Sequence, residues 1–167
     1  PYKMVLKRDI GMMASVTNAL KQTYGTRPAA PMTRMWIFTT LKEQLRKAAE
    51  YKQEADKPAD EKLAALKRVV EGELPLFVTC DSKLAMERVM EITAPYGKLR
   101  LVIVNGYELD GSETELVEKH IPVVVHTAAM PLDEDAMRLD KKGIAALVDK
   151  GALVALSGSA GTLAAQE

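Results

Sequence analysis

The sequence predicts an α/β protein, a partial (β/α) barrel of the TIM type with about four parallel strands and flanking helices. Two observations carry that expectation. Four short apolar runs recur, Leu74–Val78, Leu99–Val104, Ile121–Val125 and Ala152–Leu156, with first residues 25, 22 and 31 positions apart. An amphipathic stretch separates each run from the next, which is the rhythm of repeated strand–helix units. Apart from Arg100, the runs are also continuously apolar rather than alternating, as expected of strands covered on both faces.

The elements follow in order. Ile10, Met13, Val16 and Leu20 fall at helical spacing, so residues 9–21 read as a helix. Tyr24-Gly25-Thr26-Arg27-Pro28-Ala29-Ala30-Pro31 reads as a loop, because two prolines and a glycine break any helix. Thr33 is placed to cap a long helix reaching about Glu54. Its inner stripe would be Trp36 or Ile37 with Leu41, Leu45, Ala48 and Ala49, and Glu43 stands four residues before Lys47 on its outer face. Asp60 or Pro58 starts the next helix, which buries Leu63, Leu66, Val69 and Val70 and stops at Gly72. Asp81 or Ser82 caps a helix over 82–94 with Leu84, Met86, Val89, Met90 and Ile92 inward. Gly97 turns into the second strand, Ser112 begins a short helix, the third strand ends at His126, and a helix over 142–150 leads through Gly151 into the fourth. Four strands make half of an eight-stranded barrel, and two apolar edges then need a cover.

The totals narrow the function. At 167 residues, 47% hydrophobic and 28% charged, residues 1–167 fit one soluble globular domain. The 23 basic and 23 acidic residues balance, so no overall field draws in nucleic acid or an anionic membrane. One cysteine excludes an internal disulfide, and no apolar run approaches the ~20 residues of a membrane span. The nine methionines read as core filler. The chain opens on Pro1 without an initiator methionine and stops soon after the fourth strand, so both ends look cut from something longer and the compartment stays open.

In parallel α/β sheets the working residues sit just past the carboxyl ends of the strands. Those positions read Thr79-Cys80-Asp81, Asn105-Gly106, His126-Thr127 and Ser157-Gly158-Ser159. His126 at a strand end has the chemistry of a metal ligand or base, although a lone imidazole is more often satisfied by a backbone group or water. His120, at a helix–strand junction, reads as a solvated loop residue. Cys80 with His126 has the composition of a thiol nucleophile and its base, but a small buried hydrophobe is the plainer reading. Asp81 and Asp110 both follow strands as a conceivable carboxylate pair, with a helix cap and a turn as the plainer readings. Ser157–Gly161 resembles a backbone phosphate cradle but lacks P-loop spacing, so turn chemistry is favoured.

Several stretches resemble the imidazolonepropionase-like branch of the metal-dependent amidohydrolases. They are Ala30-Pro31-Met32-Thr33-Arg34-Met35 before a long helix, then Gly72-Glu73-Leu74-Pro75-Leu76. Leu101–Glu108 is similar to that family's sixth strand, Ile121–Val125 to its seventh and Lys150–Leu156 to its eighth. Met4–Lys7 and Gly11–Ala14, leading to Tyr24-Gly25, look like the segment before them, so the likeness runs from about Met4 to Gly161 and corresponds to the later part of the barrel.

The resemblance implies a metal site that these residues do not supply. Thr79 and Asp81 stand where the family has the histidines of its fifth strand, Asn105 replaces the sixth-strand histidine, and the eighth-strand aspartate falls at about Ser159. The family's early His-x-His pair would lie upstream of Pro1. Hydrolysis of that kind needs a divalent ion to activate water. The expectation is therefore a degenerate, non-catalytic subunit or fragment, with a vestigial site of Thr79, Asp81, Asn105, His126 and Ser159 and no cofactor. Its partner would be another barrel segment or subunit covering the sheet edges. The alternative is one segment of a hydrolase acting on C–N bonds of cyclic amides or dipeptides, with zinc held only if a partner segment supplies ligands. A weaker alternative is a small-molecule binding module using the same five residues.

Overall fold

The computed structural model describes residues 9–18, 20, 33–53, 58–104, 108–109, 111–126 and 141–157. Within them a single parallel sheet runs in strict sequence order: β1 (Met12–Ser15), β2 (Leu76–Thr79), β3 (Leu101–Val104), β4 (Val123–His126) and β5 (Val154–Ser157). The helices are α1 (Arg34–Glu50), α2 (Glu61–Val70), α3 (Lys83–Thr93), α4 (Glu113–Glu118) and α5 (Lys141–Asp149). Parallel strands ordered as in the sequence, with helices between them, are the arrangement of a (β/α) barrel wall. The α/β partial-barrel class holds.

The strand β1 replaces the helix expected over 9–21. Over four residues an almost wholly apolar run fits either period, and pairing decides. Met12 N–H donates to the Pro75 carbonyl at 2.9 Å and Val16 N–H to the Thr79 carbonyl at 3.0 Å, which lays this segment along β2. Gly11 makes the approach possible: a β-carbon there would lie 2.5 Å from the Phe77 ring and 2.9 Å from the Pro75 carbonyl oxygen.

The other four strands begin two residues later than the apolar runs that announce them. For three of them the cause is how the preceding helix ends. After α2, α4 and α5 the chain closes a Schellman turn, with Gly72, His120 and Gly151 at positive φ. Ile121 N–H donates to the Leu116 carbonyl and Ala152 N–H to that of Leu147, both at 2.9 Å. Their apolar side chains thus belong to the helix stop rather than to the strand.

One face of the sheet packs on the helices. Leu76, Val78, Ile103, Val123 and Val125 form a continuous buried cluster with Val69, Met86, Val89, Leu116 and Leu147. Each such side chain contributes about 1.5–3 kcal/mol by leaving water. On α1 the buried residues are Ile37, Leu45 and Ala48, whereas Trp36 and Ala49 are exposed, so Ile37 rather than Trp36 anchors the stripe. Thr33 caps α1 as expected, its hydroxyl accepting from Trp36 N–H at 3.1 Å. The outer face of α1 pairs Glu43 chiefly with Arg46 at 2.9 Å rather than with Lys47 at 3.7 Å, and the guanidinium holds the Glu43 carboxyl below its ordinary range.

Asp60 caps α2 through bonds from Lys62 and Leu63 N–H, and of its expected inner residues only Val69 is fully buried. Ser82, not Asp81, caps α3 by accepting from Ala85 N–H at 3.3 Å. Leu84 stands exposed on that helix, outside its expected stripe, with Ala85 buried beside Met86, Val89 and Met90. The helix α1 stops at Glu50, short of the expected Glu54, because Tyr51 takes extended backbone as its C-cap. The expected loop 24–31 and Asn105, Asp110, Thr127, Gly158 and Ser159 lie outside the described residues.

Candidate functional site

The carboxyl ends of the strands form one rim. The pairing register aligns Ser15, Thr79, Val104, Val124 and Ala155 in a single row across all five strands. Strand alternation turns this row away from the helix-packed side, toward what would be the barrel interior. It is a row of small and medium side chains, with two hydroxyls at its β1–β2 end.

Of the five expected site residues, two can be placed with their side chains. Thr79 is half-buried and closes β2. Asp81 lies two residues on, its side chain only 7% exposed. His126 is the last residue of β4, in register with Ser157, and Asn105 and Ser159 fall outside the described residues. A meeting of all five is therefore not part of the described geometry.

Asp81 serves the architecture. Its Oδ2 accepts the Asn18 backbone N–H at 2.7 Å and lies 3.5 Å from Arg34 Nη2. Arg34 Nε in turn donates to Asn18 Oδ1 at 2.8 Å. The carboxylate thus fastens the segment after β1 to the start of α1, across the head of β2. The other described rim carboxylates do similar work. Glu108 Oε2 accepts from the first N–H of α3, at Lys83, at 2.9 Å. Glu113, itself buried, accepts from Gly111 N–H at 3.0 Å. Among the described residues, the buried Ser112 hydroxyl at the start of α4 has neither a cap bond nor another hydrogen-bond partner.

These contacts were hidden in the sequence because Asn18 and Arg34 lie 63 and 47 positions from Asp81. Reading β1 as a helix also kept Ser15 and Thr17 from the rim, where their hydroxyls bond at 3.0 Å. Arg34 was visible only as part of the Thr33-Arg34-Met35 motif. The buried carboxylate has a measurable effect on stability. Asp81→Ala lowers unfolding free energy by about 1.5–3 kcal/mol, the range for hydrogen bonds to a charged group, as read from urea denaturation. Asp81→Asn, which keeps one acceptor, loses less.

Cys80 points into the core and is buried, its Sγ 3.7 Å from the Val78 carbonyl. Burial, with a smaller push from the Asp81 charge, lifts its pKa from 9.0 to about 12. A thiol held protonated is a poor nucleophile. His120 is exposed at the opposite, amino-terminal end of β4 and adopts φ 52°.

A zinc ion needs three protein ligands at a catalytic site. Among the described residues no cluster of three or more His, Cys, Asp or Glu side chains is placed to hold a metal. The described part of the rim does not fit one, since its carboxylates already accept from backbone N–H groups.

Among solved structures, the chain is similar to the crystal structure of an amidohydrolase from Thermotoga maritima MSB8, with a TM-score of 0.78 and 23% sequence identity. The match covers 93% of this chain and 43% of that one, so the chain spans less than half the length of the amidohydrolase it matches. No family model and no curated protein matches the sequence. The likeness carries the fold: an amidohydrolase-like α/β architecture in the form of a partial barrel. Among the described residues no helix is long and apolar enough to cross a membrane.

Proposed function

We propose that this chain is a degenerate segment of an amidohydrolase-type barrel, related to the imidazolonepropionase-like branch, and that its role is structural and binding rather than hydrolytic. The observation that carries the reading is the use made of the rim carboxylates. Asp81 and Glu108 each hold a backbone N–H of a distant segment, and Glu113 that of Gly111 in the turn before its own helix, which leaves them poorly disposed to grip a cation. Thr79, and by residue type Asn105 and Ser159, offer hydroxyls and an amide where a hydrolase of this kind needs imidazole or carboxylate. The vestigial rim of Thr79, Asp81, Asn105, His126 and Ser159 then serves to shape the barrel mouth.

The test is metal content. The full chain, incubated with equimolar zinc and desalted, is expected to retain well under one zinc per chain by elemental analysis. One tightly held zinc per chain overturns the reading.

A second reading is favoured by one observation, the 43% coverage of the matched amidohydrolase. A segment of that extent leaves room for metal ligands elsewhere in a complete barrel, which would then hydrolyse C–N bonds of cyclic amides or dipeptides. Zinc-dependent hydrolysis by the completed assembly, lost on Thr79→Ala or Asn105→Ala, separates this reading from the first.

A further inference from the structure

We propose that a cavity at the amino-terminal end of β2, β3 and β4 binds a small organic anion, with a carboxylate or phosphate head on an apolar body. The site lies at the far end of the sheet from the rim described above, and it does not depend on the barrel-segment reading.

The strand starts define its position. Pro75, Arg100 and Pro122 stand one residue before β2, β3 and β4, and all three line a cavity of about 620 Å³. Ligand sites occupy roughly 300–1,000 Å³, so a small organic molecule has room here. Met90 of α3 and Val102 of β3 supply apolar wall, and Tyr96 adds a ring. The charged part of the lining has one sign. Arg100, Lys119 and His120 contribute to it, and no Asp or Glu does.

Local structure accounts for only one of these three. Lys119 pairs with Glu115, one turn back on α4, at 2.6 Å. Arg100 has no such partner: its Nη2 donates to the Glu73 carbonyl at 2.8 Å, and no carboxylate among the described residues pairs with it. A guanidinium with most of its fork unspent suits a carboxylate or phosphate, which it can grip through two parallel bonds.

His120 gives the sharper signal. The stops after α2 and α5 place Gly72 and Gly151 in the left-handed conformation, whereas the stop after α4 places His120 there, at φ 52°. The side chain is exposed, so burial does not repay that backbone. Strain kept without a structural return collects where the side chain has a task. Here it holds an imidazole at the cavity, and an imidazole offers an N–H donor in either protonation state.

The test titrates the isotope-labelled full chain with phenylbutyrate, phenyl phosphate, phenylbutanol and inorganic phosphate, followed by backbone amide shifts. Residues 96–102 and 119–122 are expected to shift saturably with at least one of the two ring-bearing anions, while Ser15 and Thr79 at the opposite rim stay in place. Phenylbutanol, which lacks the charge, and inorganic phosphate, which lacks the apolar body, should each bind about tenfold or more weaker. Arg100→Gln and His120→Gly should each weaken the anion about tenfold or more. His120→Gly does so while raising the melting temperature, which separates lost binding from lost fold. Absence of a saturable shift with both anions, shifts at the rim instead, equal binding of either control, or undiminished binding by His120→Gly overturns the proposal.

Discussion

Between about pH 9 and about 12 the wild-type fold loses stability at on the order of 1 kcal/mol per pH unit, and Cys80→Ala removes that slope. The folded thiol is lifted from 9.0 to about 12 by burial first and the Asp81 charge second. In the unfolded chain the same thiol releases its proton near its ordinary value. Below pH 9 both states keep the proton and the stability is fully present. Above it the unfolded state binds fewer protons than the folded one, so stability falls as pH rises toward the folded value. The informative quantity is the difference between wild type and variant, in which titrations common to both cancel. Urea unfolding of wild type and Cys80→Ala at pH 8, 9 and 10 should give curves offset by a constant at low pH and converging as pH rises. Curves that stay parallel would show that the thiol is not the titrating group. The same burial predicts that iodoacetamide labels Cys80 slowly in the native chain and quickly in urea.

Three helix stops of one geometry form a second experiment. Gly72, His120 and Gly151 all occupy the left-handed position of a Schellman turn, at φ 80°, 52° and 80°. A side chain there costs roughly 1–2 kcal/mol by backbone sterics alone. At Gly151 a methyl group would meet nothing within 4 Å, so Gly151→Ala should cost about that much and no more. At Gly72 the methyl would lie 2.3 Å from the Lys98 carbonyl oxygen, a backbone atom that cannot swing aside. Gly72→Ala should therefore cost about 3 kcal/mol or more, the steric strain of the turn plus overpacking. His120 already bears a side chain at this position, and His120→Gly is expected to stabilise the chain by about 1 kcal/mol. Thermal unfolding of the three variants gives the order directly. If Gly72→Ala and Gly151→Ala lose equal stability, the Lys98 contact is not what constrains Gly72.

Most of the fold could be read from the sequence because local signals and tertiary packing agree. Thr33, Asp60 and Ser82 announce helix starts by their own chemistry, and Gly72 and Gly151 announce stops. The exception is β1. Its four residues are too few for a period to register, and the determinant of its conformation is β2, more than fifty residues away. Trp36 misled for a related reason: it shares the apolar character of Ile37, and only the direction of packing decides which of them is buried.

The candidate site was legible as a set of residue types and illegible as a set of contacts. That Thr79 and Asp81 end a strand follows from the run before them. That Asp81 is committed to Asn18 and Arg34 depends on three distant segments meeting, which no local pattern encodes.

The one-by-one order of the sheet also bears on how the chain assembles. Among the described residues, successive strands from β2 to β5 are joined through one helix each, so every new strand can dock on its immediate predecessor as it leaves the ribosome. Between β1 and β2 the chain must instead place two helices, α1 and α2, before the pair can zip together. Longer loops close at greater entropic cost. The β1–β2 pairing thus spans the longest connection in the described sheet, and a destabilised chain is expected to release β1 first and keep β2 to β5 as a four-stranded platform.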